Sequence, residues 1–450
     1  MSSAGTRSEK EKPQLPHLAF IVTVPVSTIF FRGQIAQLRR DGFRVTFIAS
    51  PGPQSAAIEA EGGEFIGVPM EREISVLKDV VSLWRLWKVL RKVRPKVTNV
   101  GTPKAGLVGG MAARLAGVPV RVYTLHGLRL ETARGFKRRL LEVMERVACA
   151  NAQYVRCVSQ SVRDRAVQLK LVEEKKSYVV GRGSSNGVDF ELFRRTKRRI
   201  DEATEVRRQF KIPGWAPVVG FVGRFTRDKG IAELYKAFVQ VKSYFPDARL
   251  LLLGDFEEGD PVDAAVRRGL ETEPGVIFAG MVKDTPRYYA AMDVLALPTY
   301  REGFPNVPLE AQAAGVPVVT TRVTGAVDSV LDGVTGKLVP AQDAEALAQA
   351  LIELLGNPEK RKQMGKLAAS WVEDRFRREL VWEELVKDYR RILQRSGDRV
   401  IGTSGDRKSK GAALINTDNT DQEIASSAGE GESTPASEAL AGDPGAHGPS

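Results

Sequence analysis

Apolar and polar positions alternate along the first half of the chain in a way that predicts strands followed by helices. Short apolar runs are typical of buried strands, and apolar positions at helical spacing are typical of helices packed on a sheet. Strands are predicted at residues 17–24, 45–49, 97–100, 120–124, 154–158 and 178–180, and helices at 29–40 and 74–93. This alternation indicates a parallel sheet covered by helices on both faces.

The same pattern restarts near residue 218. Further strands are predicted at residues 249–253, 276–278, 294–297, 317–320 and 337–339, and closing helices at 344–355, 358–376 and 379–394. The fold class predicted is therefore α/β, with two doubly wound, Rossmann-like domains. Each should bind its ligand at the carboxyl edge of its strands, where the strand order reverses. Facing edges would form a cleft between the domains.

The domain limits follow from these patterns and from composition. We expect a disordered N-terminus at 1–16, a first domain at 17–190, a junction at 191–213, a second domain at 214–375, a final helix at 376–395 and a disordered acidic tail at 396–450. The tail has almost no large apolar side chains, so burial cannot offset the entropy lost on ordering it.

Length and cysteine content agree with a two-domain protein of a reducing compartment. The chain has 450 residues, too many for one ordinary core. Its two cysteines, Cys149 and Cys157, cannot form a disulfide framework. No apolar run reaches the length that spans a bilayer, and residues 1–16 are polar, without the apolar core of a signal peptide. We therefore expect a cytoplasmic protein.

The net charge of +12 is unevenly distributed. Residues 396–450 hold four Lys or Arg against nine Asp or Glu, so the remainder of the chain is more basic than the total suggests. A basic body attracts nucleotide diphosphates, anionic lipid headgroups or nucleic acid. No nucleic-acid-binding module or aromatic stacking motif occurs, so nucleic acid is not the expected partner.

Two carboxylates, Glu302 and Glu310, are the most informative residues of the chain. They lie eight positions apart in the segment 300–311, which begins just after the apolar run 294–297 and ends in a helical pattern. Glu302 is thus expected on a strand-to-helix loop, and Glu310 about one turn into the helix. Backbone N–H groups at such a helix N-terminus bind phosphate or sugar oxygens readily. Those expected here belong to Gly303, Phe304 and Asn306.

A second loop, residues 223–230, follows another predicted strand and supplies cations. Arg224 and Lys229 are five positions apart and suit a diphosphate. Arg227 and Asp228 in the same loop are expected to be surface residues or local ion-pair partners. Carboxylates for hydroxyl groups beside cations for a diphosphate suggest a nucleotide-sugar site.

With these four side chains the chain resembles the donor site of the family 4 retaining glycosyltransferases, which have the GT-B fold. The resemblance covers residues 17–395, and the segments 101–106, 125–129 and 183–189 agree with it. It is most similar to the bacterial branch that builds capsule, exopolysaccharide and lipid-linked oligosaccharides. The resemblance implies that the last helix crosses back to the first domain, and that transfer retains the anomeric configuration without an enzyme nucleophile.

The resemblance also implies roles for the site residues. Arg224 and Lys229 bind the two phosphates, Glu310 accepts hydrogen bonds from the ribose hydroxyls, and Glu302, the first catalytic candidate, contacts the donor sugar. Simpler interpretations stay open: a solvated loop for the two cations, and a favourable helix-dipole interaction for Glu310. The other donor-binding predictions are Gly223, Gly303, Phe304, Pro305 and Asn306, with Val282 and Lys283 beside the nucleobase.

The first domain is expected to hold the acceptor. His126 follows the strand 120–124, and it is the second catalytic candidate, either as a hydrogen-bonding partner or as a general base; a structural histidine is the alternative. Many relatives have a glycine-rich loop after the first strand, where this chain has residues 24–29, so a close approach of a diphosphate there is in doubt. The acceptor-binding predictions are Ser27, Thr28, Arg32, Lys104 and Arg129, and for Lys104 a plain surface position is equally open.

Two basic segments are candidates for contact with a membrane. Residues 129–146 hold six Lys or Arg against three Glu, together with an apolar side, and we expect them to contact the membrane or guide a lipid-linked acceptor. Residues 81–96, with Trp84 and Trp87, are interpreted as a helix packed on the sheet with snorkelling cations. The protein is then expected at the inner face of the plasma membrane.

The function expected is transfer of a hexose or N-acetylhexosamine from a nucleotide sugar, UDP-linked, to a polyprenyl-diphosphate-linked saccharide. No metal or other cofactor is expected, because no Asp-x-Asp follows a candidate donor-site strand and the cations neutralise the diphosphate. Alternatives are a nucleotide-sugar 2-epimerase of the same fold, a soluble glucan or small-molecule glycosyltransferase, and a non-catalytic binding subunit.

Overall fold

A seven-stranded parallel sheet organises the first half of the chain. The computed structural model describes residues 15–23, 30–71 and 75–401. The strands are β1 (His17–Ile21), β2 (Arg44–Ala49), β3 (Glu64–Gly67), β4 (Val97–Gly101), β5 (Val120–Leu125), β6 (Tyr154–Cys157) and β7 (Ser177–Val179). The helices between them are α1 (Gln34–Arg40), α2 (Ser55–Ala60), α3 (Val76–Val93), α4 (Pro103–Leu115), α5 (Gly135–Asn151) and α6 (Gln160–Gln168). The strand order is β3-β2-β1-β4-β5-β6-β7.

A six-stranded parallel sheet organises the second half. Two helices precede it, α7 (Phe190–Phe193) and α8 (Lys197–Gln209). Its strands are β8 (Val218–Val222), β9 (Arg249–Leu253), β10 (Val276–Gly280), β11 (Val294–Leu297), β12 (Val318–Thr321) and β13 (Gly336–Val339), in the order β10-β9-β8-β11-β12-β13. Its helices are α9 (Ile231–Tyr244), α10 (Ala264–Thr272), α11 (Pro286–Ala291), α12 (Asn306–Ala313), α13 (Ala344–Gly356) and α14 (Pro358–Phe376), and α15 (Arg378–Ile401) ends the described chain.

The strands are almost uniformly apolar because helices cover both faces of each sheet. In β9, for example, four consecutive leucines are buried, Leu250–Leu253. In the first domain one apolar layer lies under α3, α4 and α5, and another lies under α1 and α15. The structure therefore confirms two doubly wound α/β domains, and the limits of these domains along the chain stay a prediction.

In both sheets the strand order reverses at one place, between β1 and β4 and between β8 and β11. The loops that leave two neighbouring strands at such a point turn to opposite sides, and a crevice opens between them at the carboxyl edge. In the second domain those loops are residues 223–230, after β8, and residues 298–305, after β11. Both segments that the sequence singled out therefore border the same crevice.

The C-terminal helix α15 is anchored to the first domain by a buried polar network. Arg156 of β6 forms an ion pair with Asp388 at 2.6 Å, and both side chains are almost fully buried. Tyr178 donates to the same carboxylate at 2.9 Å, and Asn99 donates to the hydroxyl of Tyr389 at 2.8 Å. These contacts explain how the last helix crosses back to the first domain, as the resemblance implied.

We predict that Asp388→Ala lowers the free energy of unfolding by about 3–5 kcal/mol, because it leaves the Arg156 guanidinium buried without a counter-charge. Although burial raises the pKa of the Asp388 carboxyl, the nearby Arg156 and Arg391 charges hold it below its usual value. This contribution is therefore present above the ordinary Asp pKa and is lost as the pH falls through the lowered value.

Denaturant unfolding at several pH values measures this effect. The matched control is Glu384→Ala on the same helix, which breaks only the exposed pair with Lys387 and should change stability by less than about 0.5 kcal/mol. Equal effects of the two substitutions would show that the buried pair does not anchor α15.

The end of the chain departs from the sequence-based prediction. The final helix, predicted at 379–394, extends to Ile401, so the expectation of disorder from 396 is wrong for residues 396–401. The remaining disorder predictions, at residues 1–14 and 402–450, lie outside the described residues.

Candidate active site

A glycine brings the two loops of the second domain together. A short 3-10 turn at Arg227–Lys229 is followed by Gly230 in the left-handed region, with φ of 71°. A Cβ atom at this position would lie 1.9 Å from the carbonyl oxygen of Pro298, which follows β11. Only glycine permits this approach, and it holds Lys229 against the loop that carries Glu302.

Lys229 and Glu302 meet as the two loops converge. The ammonium of Lys229 donates to Oε1 of Glu302, and the two side chains are only 20% and 13% exposed. The pair lies at the point where the strand order of the second sheet reverses. The structure thus brings together one of the predicted phosphate-binding cations and the predicted sugar-binding acid.

Glu310 lies in the second turn of α12, about one turn into the helix as the sequence predicted. Its Oε2 accepts a hydrogen bond of 2.6 Å from the hydroxyl of Tyr289, a fully buried residue of α11. Burial raises the pKa of the Glu310 carboxyl, and the hydrogen bond from Tyr289 opposes this rise. Tyr289 was not singled out in the sequence; its hydroxyl now orients Glu310 and favours the ionised form.

If ionised Glu310 binds the donor ribose, Tyr289→Phe should raise the donor KM several-fold at acidic pH and less at alkaline pH. Loss of the hydroxyl removes an interaction that lowers the pKa of Glu310, so the acid limb of the pH profile moves to higher pH. Steady-state kinetics from pH 5 to 9 measure this change. The substitution keeps the packing of the aromatic ring, so a pH-independent loss of activity would contradict the positioning role.

Arg224 is not part of this cluster. Its guanidinium forms an ion pair with Glu257, and its side chain is 59% exposed. That Arg224 binds a phosphate together with Lys229 stays a prediction. For this contact to form, Arg224 has to leave Glu257 and pair with the phosphate. Gly223, the preceding residue, donates its N–H to Leu253 of the adjacent strand at 2.9 Å.

Glycines also bring the two domains into backbone contact beside Glu302. A Cβ atom on Gly303 would lie 2.0 Å from the carbonyl oxygen of His126, and one on Gly127 of the first domain would lie 3.0 Å from the Cα atom of Gly303. Ser159 of the first domain donates to the carbonyl of Gly303 at 2.9 Å. The predicted His126 loop and the Glu302 loop are therefore neighbours across the cleft.

His126 lies in a setting that disfavours its charged form. Its Nδ1 is 3.0 Å from Oγ of Ser185, and its ring stacks on Phe30 at 5.5 Å. Burial, together with the positive charge of Arg156, lowers the pKa of His126 to about 4. The ring is therefore neutral at physiological pH and a weak base. The contact with Ser185 agrees with the predicted hydrogen-bonding role of His126, and the lowered pKa weakens it as a general base.

The other donor-side predictions occupy three kinds of position. Phe304 is buried against Phe376, so its side chain is structural. Pro305 directly precedes helix α12. Asn306 is the first residue of that helix and is half-buried. Val282 and Lys283 follow β10, the edge strand on this side of the sheet, and Lys283 is exposed.

The acceptor-side predictions do not form one cluster. Ser27 and Thr28 lie outside the described residues. Arg32 and Arg129 are exposed, the latter at the start of a short 3-10 turn. Lys104, at the beginning of α4, is buried and forms an ion pair of 2.7 Å with Asp79 of α3. Since a buried lysine needs a counter-charge, an acceptor phosphate would have to compete with Asp79, and the interpretation as a surface lysine is wrong.

Sequence reasoning missed a polar bridge between the domains. The carboxylate of Asp228 accepts a hydrogen bond of 3.1 Å from Thr132 of the first domain, and it pairs with Arg301 at 3.0 Å. Ser161 bridges the domains as well, through hydrogen bonds with Asp328 and with the N–H of Gly325 at 2.7 Å. Asp228 was predicted as a surface residue or a local ion-pair partner, and its pair with Arg301 confirms the second possibility. The contact with Thr132 was not predicted, although Asp228 and Arg301 directly precede Lys229 and Glu302.

The fold defines a protein of the GT-B class, with Lys229 and Glu302 paired in the crevice of its second domain. Comparison with known proteins then identifies the particular family. A family profile described as "Glycosyl transferases group 1" matches residues 216–357, and one described as "Glycosyl transferase 4-like domain" matches residues 28–183. The chain belongs to the group 1 glycosyl transferases and is a glycosyltransferase.

Two relatives illustrate this family. The capsular polysaccharide biosynthesis glycosyltransferase CapM of Staphylococcus aureus is 37% identical over 376 residues, which cover 84% of this chain and 97% of that protein. The UDP-Gal:alpha-D-GlcNAc-diphosphoundecaprenol alpha-1,3-galactosyltransferase of Escherichia coli is 27% identical over 67% of this chain and 77% of its own length.

Among solved structures, Anabaena HepE in complex with UDP-glucose superposes with a TM-score of 0.68 at 22% identity, covering 83% of this chain and 98% of that one. This likeness confirms the GT-B fold. No helix among the residues the structure describes is long and apolar enough to cross a membrane.

Proposed function

We propose that this glycosyltransferase moves a hexose or N-acetylhexosamine from a UDP-sugar to a lipid-linked saccharide during synthesis of a cell-surface polysaccharide, with retention of the anomeric configuration. One observation carries the proposal: Lys229 and Glu302 contact each other in the crevice where the strand order of the second sheet reverses. Cation and acid are then within reach of the same bond, the one between the donor sugar and its diphosphate.

Lys229 acts on the leaving group. As the glycosidic bond breaks, negative charge builds on the diphosphate, and a fixed ammonium stabilises this charge more in the transition state than in the bound substrate. The diphosphate has to replace Glu302 as the partner of Lys229. This exchange is favourable because the diphosphate as a whole carries two negative charges against the one of a carboxylate, and because it releases Glu302 toward the sugar.

Glu302 then faces the donor sugar, where its carboxylate accepts a hydroxyl hydrogen bond or stabilises the positive charge that develops at the anomeric carbon. Glu310, oriented by Tyr289, accepts hydrogen bonds from the ribose hydroxyls. The acceptor hydroxyl needs a proton acceptor, and the lowered pKa of His126 makes it a weaker base than an ordinary histidine. A donor phosphate oxygen takes this proton in the mechanism we propose, which accounts for retention without an enzyme nucleophile.

Support for the acceptor comes from the relatives. The Staphylococcus aureus protein is named for capsular polysaccharide biosynthesis, and the Escherichia coli protein for a sugar linked to diphosphoundecaprenol. We extend both features to this chain: the acceptor is a saccharide on a polyprenyl diphosphate, presented at the inner face of the plasma membrane. Arg32 and Arg129, exposed on the first domain, are candidates for contact with its phosphates.

Incubation with a panel of UDP-sugars tests the proposal, in separate reactions with a lipid-linked saccharide, with a soluble glucan and with no acceptor. We expect transfer only when the acceptor is present, and NMR of the product should show the anomeric configuration of the donor. A new sugar isomer without acceptor would instead identify a 2-epimerase. Transfer to a soluble glucan alone would identify the remaining enzymatic alternative, and no turnover at all would favour a binding subunit.

We also propose that transfer needs no metal ion, since Lys229, joined by Arg224 when it leaves Glu257, supplies the positive charge that neutralises the diphosphate. The transfer rate should therefore change by less than about twofold when the protein is dialysed against EDTA, because no metal ion acts as a Lewis acid in the proposed mechanism. A large loss that Mg²⁺ or Mn²⁺ restores would contradict this proposal.

A further inference from the structure

The first half of helix α3 exposes a row of large apolar side chains. Leu77, Val80, Val81 and Trp84, here called the α3 stripe, are 83%, 60%, 45% and 52% exposed. Their spacing of three and four residues places them on one face of the helix, one above the other. Solvent-facing positions of a helix are ordinarily polar, so this row is unusual.

The α3 stripe is not the side of α3 that packs on the domain. Leu86 and Leu90 are fully buried in the core under the helix layer, and Leu83 and Trp87 pack against the same core. The interpretation of residues 81–96 as a packed helix is thus confirmed for its inner face. Helix α3 therefore has two apolar sides. Among the described residues, the inner side packs on the core of the domain, whereas the α3 stripe is exposed.

Basic residues lie beside the α3 stripe. Lys78, Arg85 and Lys88 are exposed, and Lys78 pairs with Glu71 at 2.8 Å, while the one acidic residue of the helix, Asp79, pairs with Lys104. The ammonium of Lys88 lies 3.5 Å above the ring of Trp84. An exposed tryptophan held beside lysine is suited to the boundary between lipid headgroups and acyl chains, and the excess of cations suits an anionic surface.

Topology places the α3 stripe on the acceptor side of the molecule. In a parallel sheet each connecting helix runs antiparallel to the strands, so its N-terminal half lies at the carboxyl edge. The pair between Asp79 of α3 and Lys104, at the start of α4 after β4, shows that the beginnings of these helices are adjacent. The start of α5 lies at the same edge, and its Phe136 is exposed.

We propose that the α3 stripe inserts into an anionic membrane surface, with its flanking cations on the headgroups, and so turns the cleft edge of the first domain toward the bilayer. This proposal rests on the proposed function, because a lipid-linked acceptor would then enter the cleft from the membrane below. The sequence predicted residues 129–146 as the main membrane contact, whereas the proposal here assigns that contact to α3. In this arrangement α5 contributes Phe136 and the exposed cations Lys137 and Arg139 as a secondary contact.

Vesicle binding by the full chain tests this surface directly. Wild-type protein should bind vesicles that contain about one third phosphatidylglycerol at least about tenfold more tightly than phosphatidylcholine vesicles, given about 1 kcal/mol for each cation near the surface. The double substitution Leu77→Ser, Trp84→Ser should weaken binding to the anionic vesicles by more than about tenfold.

The matched control is Leu115→Ser, Trp215→Ser, which removes the same two residue types from exposed positions away from the α3 stripe. Its vesicle affinity should equal that of wild type. Because all four positions are exposed, both double variants should fold, and thermal unfolding checks this. Unchanged vesicle affinity in the α3 variant, or a wild-type protein that binds neither kind of vesicle, would overturn the inference.

Activity separates this inference from the proposed function. With a short-chain, water-soluble acceptor, both double variants should turn over like wild type, because the α3 stripe takes no part in the chemistry. With the acceptor embedded in anionic vesicles, only the α3 variant should lose most of its rate. Equal rates of the α3 variant and wild type on embedded acceptor would overturn the inference and leave the transferase proposal standing. Failure of wild type on both acceptors would instead overturn the transferase proposal.

Discussion

Lys229→Ala is expected to lower kcat/KM for sugar transfer by about 10²–10³-fold, the range found when one group that stabilises transition-state charge is removed. The physical reason is that the diphosphate loses a cation that already lies in contact with the sugar-binding acid. Because Lys229 is largely buried beside Glu302, a cation from the solvent cannot readily take its place. Lys229→Arg should restore part of the activity, since it keeps the charge but alters the geometry.

Lys236→Ala provides the control for this substitution. Lys236 lies in α9, which begins directly after the Lys229 loop, and its side chain is exposed. Its removal should leave kcat/KM within about twofold of wild type, as expected for a surface residue outside the site. Steady-state kinetics on the two variants, with thermal unfolding to confirm that both are folded, decide the matter. Comparable losses in both would exclude a specific role for Lys229.

Glu302→Gln is expected to have the second large effect, a loss of transfer of about 10³-fold. The amide keeps the size of the side chain but cannot stabilise positive charge at the anomeric carbon. The same substitution removes the carboxylate that occupies Lys229 before the donor binds. Affinity for UDP, which has a diphosphate but no sugar, should therefore be unchanged or higher in this variant. The opposite directions of the two effects follow from the contact between Lys229 and Glu302.

The matched control is Glu257→Gln, because Glu257 also pairs with a predicted phosphate-binding cation, Arg224, but from a position without the sugar-facing role of Glu302. It should leave transfer within about tenfold of wild type, in line with the small contribution of an exposed ion pair. A loss of transfer as large as that of Glu302→Gln would indicate a general charge effect and argue against a specific contact with the sugar.

Much of the fold was predictable because buried parallel strands are continuous apolar runs. The strands at 249–253 and 294–297 and the helix at 358–376 have the predicted limits. Strand β3 and helix α2 were missed, since β3 is a four-residue edge strand that begins with exposed Glu64, and so lacks a continuous apolar pattern. The end of α15 was predicted too early for a similar reason: residues 396–399 are Ser, Gly, Asp and Arg and interrupt the apolar pattern in the sequence.

The candidate site was predictable as far as it depends on single loops. The places of Glu302, Glu310 and Lys229 follow from the strands that precede them, and the structure brings Lys229 and Glu302 together. Contacts between distant segments were not predictable. The burial of Lys104 against Asp79, the pairing of Arg224 with Glu257, and the bridge through Asp228 all depend on how helices and loops pack in three dimensions.

Isothermal titration of UDP into wild-type protein, Lys229→Ala and Glu302→Gln tests the central claim most directly, that a donor diphosphate and Glu302 compete for Lys229. We predict that Lys229→Ala binds UDP at least about tenfold more weakly, the cost of losing one charge-assisted contact, and that Glu302→Gln binds it at least as tightly as wild type. Wild-type affinity in Lys229→Ala, or weakened affinity in Glu302→Gln, would contradict the account.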